Sequence, residues 1–566
     1  MKGHDVSDIV LIKMKHIKRI VNLNKLLLAI IVITVGFNIL FLMRYNFQDD
    51  AAFYVTLAQE QLRTRSLFPE GMFYSSGLFV ISPNLLVIPF LLVTDNLVLA
   101  RQSAILLLWG LVYLVLFKIF VTKDERNIKG FVLASGFFSI LYVNSSIVSM
   151  HFYQGAYVGY LLFLLSYLAL MNRIITNNNL NNKYLTGLLI LYIASNLGDI
   201  RNLVTWGFPG LLAYLIFVFL EEKKVTLTEK ETEKRIAKVL LNGVLLSFTI
   251  FVLMGKFYGN AGSTLSLMEL AAKDYGESLN HILVGMFNLF GNSYSAFVFS
   301  GAGFFKLINF LVAIIINIVV PIVAVKYFKN IKLKSSRFLI IFSLTSSLLY
   351  LFIAFITGAS IYLDRYLIPV YNNNIILFAT TGSFFLDKIK GLKRRVIGLF
   401  GVLLYVLLSN LFYFYSQKDS LIQHKYGFFA SGVDGVVEFL ESKGLQYGYA
   451  TFTNAEEYSV LSNNKVRVRC VGFDNGNIYP LQWLTSESFY KPDYYLGNTF
   501  LMITEKELKN GFPDGITVLG QPKVVYEFKK FKIFVYDYNI SNKFISGRRG
   551  IWLIRGAKSA IYVVDE

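Results

Sequence analysis

Asp49 and Asp50 are neighbouring carboxylates in the run Asn46-Phe47-Gln48-Asp49-Asp50-Ala51-Ala52-Phe53-Tyr54, just beyond the first long apolar segment. Paired acids at the mouth of a site can accept a proton, hold a hydroxyl or bind a cation. They can equally start a helix, where a carboxylate satisfies free N–H groups and suits the dipole. The stretch from Asp50 to Arg63 has a helical pattern, with Phe53, Leu57 and Glu60-Gln61 on one stripe. Three further turns carry polar groups between apolar runs. His151 stands in Met150-His151-Phe152-Tyr153-Gln154, and Asp199 and Arg201 in Asn196-Leu197-Gly198-Asp199-Ile200-Arg201-Asn202. Arg365 and Tyr366 lie in Tyr362-Leu363-Asp364-Arg365-Tyr366-Leu367-Ile368-Pro369. Arginine favours forked contacts with phosphate and carboxylate. The blander roles are a local salt bridge for Asp199–Arg201, snorkelling for Arg365 and structural hydrogen bonding for His151.

The elements that must position these groups are membrane helices. Of the 566 residues, 55% are hydrophobic and only 16% are charged, against about a quarter charged in an ordinary soluble domain. Eleven spans are expected, at 26–43, 97–117, 130–148, 155–171, 184–197, 203–220, 239–255, 307–325, 338–357, 366–386 and 396–415. The basic stretch 1–25 precedes the first span without a small-residue cleavage site and reads as a cytoplasmic N-terminus with a retained signal anchor. Segment 78–93, with Pro83 and Pro89, is either a twelfth span or a re-entrant element.

Charge bias decides between these. With 78–93 outside the count, the N-terminus and the loops near Lys123, Arg173, Lys230, Lys332 and Lys393 hold 28 Lys and Arg. The opposite loops and helix ends hold nine, Arg101 among them. Counting 78–93 as a span moves 22 of the 28 outside, against the positive-inside bias. The odd span count then puts the C-terminus outside, with outer loops at 44–96 and 256–305. The net charge of +19 therefore reports membrane orientation rather than a nucleic-acid face. No ionisable residue falls in the middle of an expected span, which argues against an ion-coupled transporter.

From residue 416 to 566 the composition is that of a soluble α/β domain. A helix is expected at 434–442 and strands at 447–453, 465–471 and 500–504. Residues 524–528 and 531–537 form a hairpin across Lys529-Lys530. The single cysteine, Cys470, excludes an internal disulfide or a cysteine-based zinc site. Loop 256–305 carries Glu269, Lys273, Asp274, Glu277 and His281 and reads mostly as solvated surface, with an amphipathic 269–289 lying on the membrane. Trp483 fits a core as well as a carbohydrate platform.

An acidic pair just after the first span, followed by Phe or Tyr, resembles the first-loop motif of the type C glycosyltransferases, which include protein mannosyltransferases and aminoarabinose transferases. Tyr74 and Ser82-Pro83-Asn84-Leu85 resemble the later part of that loop, where many members have Lys-Pro-Pro; here the lysine is absent. Arg365-Tyr366 entering a span before Pro369 is similar to a late-helix pattern of the same superfamily. The resemblance implies a polytopic α-helical fold over 26–415. It also implies sugar transfer from a polyprenyl-phosphate donor, undecaprenyl in a bacterial cell membrane, to a glycan, lipid or protein acceptor on the outer face. By the same resemblance Asp49 is the base, with inversion at the sugar carbon. Asp50, His151, Asp199, Arg201, Arg365 and Tyr366 contact substrate, Arg201 and Arg365 through the phosphate. No cofactor is required by this reading, and a divalent metal at Asp50 is one option. The competing reading is a non-catalytic assembly or export protein for surface polysaccharide, in which the acidic pair is a cap.

Overall fold

A chain in hydrocarbon must satisfy every backbone N–H and C=O within itself, so long apolar runs fold as helices. The computed structural model describes residues 26, 28–43, 49–74, 81–121, 127–141, 145–176, 182–221, 227–258, 275–291, 301–357, 364–389, 392–416, 435–474, 476–482, 485–509, 516–545, 549–555 and 558–564. Its helices are α1 (Leu28–Leu42), α2 (Asp49–Thr64), α3 (Pro83–Leu91), α4 (Leu97–Phe120) and α5 (Ile128–Phe138). There follow α6 (Ala156–Thr176), α7 (Asn182–Gly198), α8 (Leu203–Glu221), α9 (Leu227–Tyr258) and α10 (Tyr275–Asn288). The last four of the bundle are α11 (Phe305–Asn330), α12 (Lys334–Thr357), α13 (Ile368–Lys388) and α14 (Leu392–Ser416).

Among the described residues, seven helices are long and apolar enough to cross a membrane, within α4, α6, α8, α9, α11, α12 and α14. The chain is an integral membrane protein. Of the other four expected spans, 26–43, 184–197 and 366–386 are helical, whereas 130–148 is broken, its helix α5 ending at Phe138 and helix resuming at Ser145. Of these, α1 and α5 are apolar but shorter, and α7 has 17 residues. Helix α13 has 21 but is diluted by Asn372, Asn373 and Asn374, all buried. These amides are tolerated because α13 packs between α5 and α12, where protein rather than lipid meets them. Asn373 donates to Ser346 at 2.8 Å, and Asn374 donates to Asn317 at 3.0 Å while accepting from Ser347 at 3.1 Å. Helices α7 and α9 approach so closely that a Cβ on Gly243 would lie 2.5 Å from the Tyr192 ring, the small-residue contact typical of membrane helix pairs.

Helix α3 has nine residues, about 13.5 Å of rise, less than half of a ~30 Å hydrocarbon layer. It packs against α2 and α4 instead of spanning. At the far end of the bundle, ion pairs Lys129–Asp387 and Arg337–Glu221 tie neighbouring helix ends; these are the ends that charge bias assigns to the cytoplasm. In loop 256–305, α10 is anchored on α12 by Ser278 donating to the Phe355 carbonyl at 3.0 Å. Glu269, Lys273 and Asp274 lie outside the described residues, as does Trp483.

Beyond α14 the chain forms a mixed six-stranded sheet. In chain order, the strands of that sheet and of a separate two-stranded pair, β1 with β5, are β1 (Met72–Phe73), β2 (Tyr447–Ala450), β3 (Arg467–Asp474), β4 (Asn477–Pro480), β5 (Thr485–Ser486), β6 (Thr499–Thr504), β7 (Val524–Phe528) and β8 (Phe531–Tyr536). The sheet order is β4-β3-β2-β6-β8-β7. Strand β2 is parallel to both β3 and β6, and the other pairings are antiparallel. Three short helices accompany it: α15 (Val436–Ser442), α16 (Glu456–Leu461) and α17 (Glu505–Lys509). The hairpin across Lys529-Lys530 forms as the sequence indicates.

The first loop joins this domain. Strand β1 pairs antiparallel with β5, Met72 opposite Ser486 and Phe73 opposite Thr485. The Glu487 N–H donates to the Gly71 carbonyl at 2.8 Å, and Asn463 caps α4 by accepting from the Leu97 N–H at 2.9 Å. The acidic pair's loop and the C-terminal domain therefore share one end of the bundle.

Candidate functional site

Helix α2 begins at Asp49-Asp50. One face of it buries Phe53, Tyr54 and Leu57 against Met72 and Tyr74. Its last buried polar residue, Gln61, accepts from the Asn84 amide at 2.8 Å and donates to the Leu67 carbonyl at 3.0 Å. Ser82 donates to the other end of the Asn84 amide. A chain of side chains thus fixes Ser82-Pro83 to the helix that starts with the acidic pair.

The turn after α7 lies against the same segment. Asp199 is 2% exposed, and its two oxygens are fully used. Oδ1 accepts the Arg201 N–H at 2.8 Å, while Oδ2 accepts the Tyr160 hydroxyl at 2.6 Å and stands 3.7 Å from Arg201 Nε. Asn202 donates to the Ser195 and Asp199 carbonyls and accepts from Trp206 Nε1, which makes the turn rigid. Burial works against the charge on Arg201, but Asp199, Tyr160, Tyr157 and Tyr366 outweigh it and raise its pKa well above the ordinary value. Asp199 is thus the residue that orients Arg201.

Arg365 arrives from the short turn before α13, with its guanidinium 5.5 Å from the Tyr366 ring centre. Arg201, Arg365, Tyr366 and Asp199 all act electrostatically on Tyr157, and Tyr54 acts on Tyr160. Two arginines from distant loops thus gather around one group of tyrosines. Tyr54, Ser82, Pro83, Tyr160, Phe163, Gly198, Asp199 and Asn202 border a narrow cleft beside them. Its cavity volume of about 20 Å³ is room for one water molecule.

His151 is not among these groups. It lies in a π-helical turn (Ser149–Tyr153), 1% exposed, with its ring edge toward Trp109 at 6.2 Å between centres. Burial pushes its pKa down to about 3, so the imidazole is neutral. Its surroundings match the structural role that the residue type also allowed.

Sequence reasoning missed four participants. Tyr54 is four residues after Asp50, hence on the same helix face, and could have been found that way. Tyr157 and Tyr160 sit in the first turns of α6 with no motif to mark them. Arg101, counted only as a basic helix end, is fully buried. It packs 4.8 Å from the Tyr54 ring centre and donates to the Gln154 carbonyl, holding α2 to the neighbouring turn. No group of three or more His, Cys, Asp or Glu could hold a metal ion among the described residues.

Gly198 controls how closely α7 approaches the Ser82-Pro83 segment. A Cβ there would stand 2.6 Å from the Ile81 carbonyl oxygen, a backbone atom that cannot swing aside. Gly198→Ala is expected to destabilise the protein by about 1–3 kcal/mol, the usual cost of overpacking. A melting midpoint equal to wild type would show that the segment yields freely.

No protein-family model matches the chain, and no curated protein matches it. Among solved structures it is similar to the crystal structure of the Archaeoglobus fulgidus oligosaccharyltransferase complex with Zn and sulfate. The TM-score is 0.42 and the identity 13%, over 84% of this chain and 68% of that one. A likeness at that level carries no inference about activity.

Proposed function

We propose that the protein is an inverting glycosyltransferase that moves a sugar from a polyprenyl-phosphate donor to a glycan, lipid or protein acceptor at the outer face of a bacterial membrane. The observation that carries this reading is the convergence of Arg201 and Arg365 on Tyr157 and Tyr366. Arg201 is oriented by Asp199, and guanidinium groups near the same tyrosines can make forked contacts with a phosphate. They sit at the end of the bundle that bears the acidic pair and the C-terminal domain, which the charge bias makes the outer end.

In this reading Asp49 takes the proton of the acceptor hydroxyl as its oxygen bonds to the sugar carbon. The bond from that carbon to the phosphate oxygen breaks on the opposite side, and the charge on the leaving phosphate is met by the two arginines. Asp50 holds a sugar hydroxyl, Asp199 orients Arg201, and Tyr366 lines the donor path. His151 serves packing. The seven long apolar helices cross the membrane.

The narrowness of the cleft favours the competing reading of a non-catalytic assembly protein. Incubation with a panel of polyprenyl-phosphate sugars separates the two. At least one donor should be consumed, and Arg201→Gln and Arg365→Gln should each lower turnover roughly 10²–10³-fold, as when a transition-state donor is removed. Unchanged turnover in both variants would remove the phosphate role of the arginines. No consumption of any donor would favour the competitor.

A further inference from the structure

The C-terminal domain carries a separate concentration of charge. Strands β2 and β6 are parallel neighbours, and sheets of this kind bind ligands beyond the carboxyl ends of such strands. At that end β6 runs into α17. Strand β8 is antiparallel to β6, with Phe531 opposite Thr504, so the hairpin turn Lys529-Lys530 arrives at the same edge. The result is an open cleft lined by Thr504, Glu505, Lys506, Lys509, Lys529 and Lys530. The lining holds four lysines and one glutamate, and the Glu457 carboxylate, outside the lining, acts on Lys530. Its cavity volume of about 590 Å³ lies in the range of small-ligand sites.

The frame of the cleft is held in place. The Glu507 carboxylate is not part of the lining; it accepts from the Thr504 N–H at 2.8 Å, the Thr504 hydroxyl at 2.7 Å and Thr451, and its charge remains beside the cleft. Lys530 lies 4.9 Å from the Phe531 ring centre and Lys529 5.7 Å from that of Phe528. The 451–454 turn, tied to Glu507 through Thr451 and Asn454, places Phe452 against the cluster of Phe53, Tyr54 and Leu57. The cleft therefore opens at the end of the domain that meets the first loop.

We propose that this cleft binds the phosphate group of an anionic ligand. Lysine ammonium groups are mobile point charges that suit phosphate oxygens without demanding one ligand shape, and exposed charges act over a range set by salt. The proposal does not depend on sugar transfer. Its test uses the full chain in neutral detergent, with binding measured for inorganic pyrophosphate and, separately, for soluble short-chain phosphatidylglycerol. At low salt at least one should bind, and the one that binds distinguishes a free phosphate from a lipid headgroup. Affinity should fall at least about tenfold in Lys506→Gln/Lys509→Gln/Lys529→Gln/Lys530→Gln, and several-fold when salt rises to about 0.2 M. The corresponding four-arginine variant should retain binding, and Lys491→Gln, away from the cleft, should match wild type. Binding of neither probe, or glutamine and arginine variants that both bind within about twofold of wild type, would overturn the proposal.

Discussion

Replacing Asp49 by Asn should lower sugar transfer by about 10²–10⁴-fold, the range that a positioned general base supplies, or about 3–5 kcal/mol of barrier. The informative companion is Asp49→Ser. Serine is as good as aspartate at a helix start but cannot serve as a base near neutral pH. If Asp49 only begins α2 as its first residue, Asp49→Ser should keep activity, and Asp49→Ala should lose about 0.3–1 kcal/mol of stability through the helix dipole. If Asp49 is the base, all three variants should lose turnover alike while melting close to wild type. Full activity in the serine variant would end the assignment of the base.

Arg469→Leu should be the most damaging substitution in the C-terminal domain, at about 3–5 kcal/mol. Arg469 is 4% exposed and Glu456 5% exposed; Arg469 Nη1 meets Glu456 Oε2 at 2.5 Å, with the guanidinium 3.7 Å from the Phe489 ring centre. Burial raises the Glu456 pKa, and Arg469 opposes that rise. A folded-state pKa above the unfolded one means that the folded chain binds more protons. Stability from this group therefore declines as pH rises from the ordinary glutamate value towards the raised one. Without Arg469 the decline should steepen, so Arg469→Leu should be least destabilised in acid. Glu456→Leu/Arg469→Leu should recover most of the loss, because no charge remains buried. Unfolding midpoints of the full chain across pH 4–8 check this, and a double variant no more stable than Arg469→Leu would contradict it. The damage should extend to the first loop, since α16, which begins with Glu456, packs on α2.

The sequence makes α2 legible because Phe53, Leu57 and Gln61 recur at helical spacing, and the Lys529-Lys530 hairpin because polar residues interrupt two β-rich runs. Helix α13 is legible from its length and apolar run; what the sequence does not show is that partners on α11 and α12 take up its asparagines. His151 misleads because a histidine beside an expected loop suggests access, whereas the π-helical turn folds it inward. Strand β1 is illegible for a plainer reason. Two residues carry no periodicity, and their partners lie in another part of the chain. Of the site, the Asp199–Arg201 turn and Arg365 are recoverable from residue type and loop position. The tyrosines between them are not, since tyrosine is common at helix ends and only packing distinguishes these.

The ladder between β1 and β5 also sets an order of events in the making of the protein. Phe73 and Thr485 are 412 residues apart. At 5–20 residues per second a ribosome needs roughly 20 to 80 s to cover that distance. During this interval the acidic pair has left the ribosome, but the segment that closes its loop does not yet exist. Nascent chains halted before residue 485 carry the membrane helices and an open first loop, so this loop is completed only after the C-terminal domain's β5 has been made.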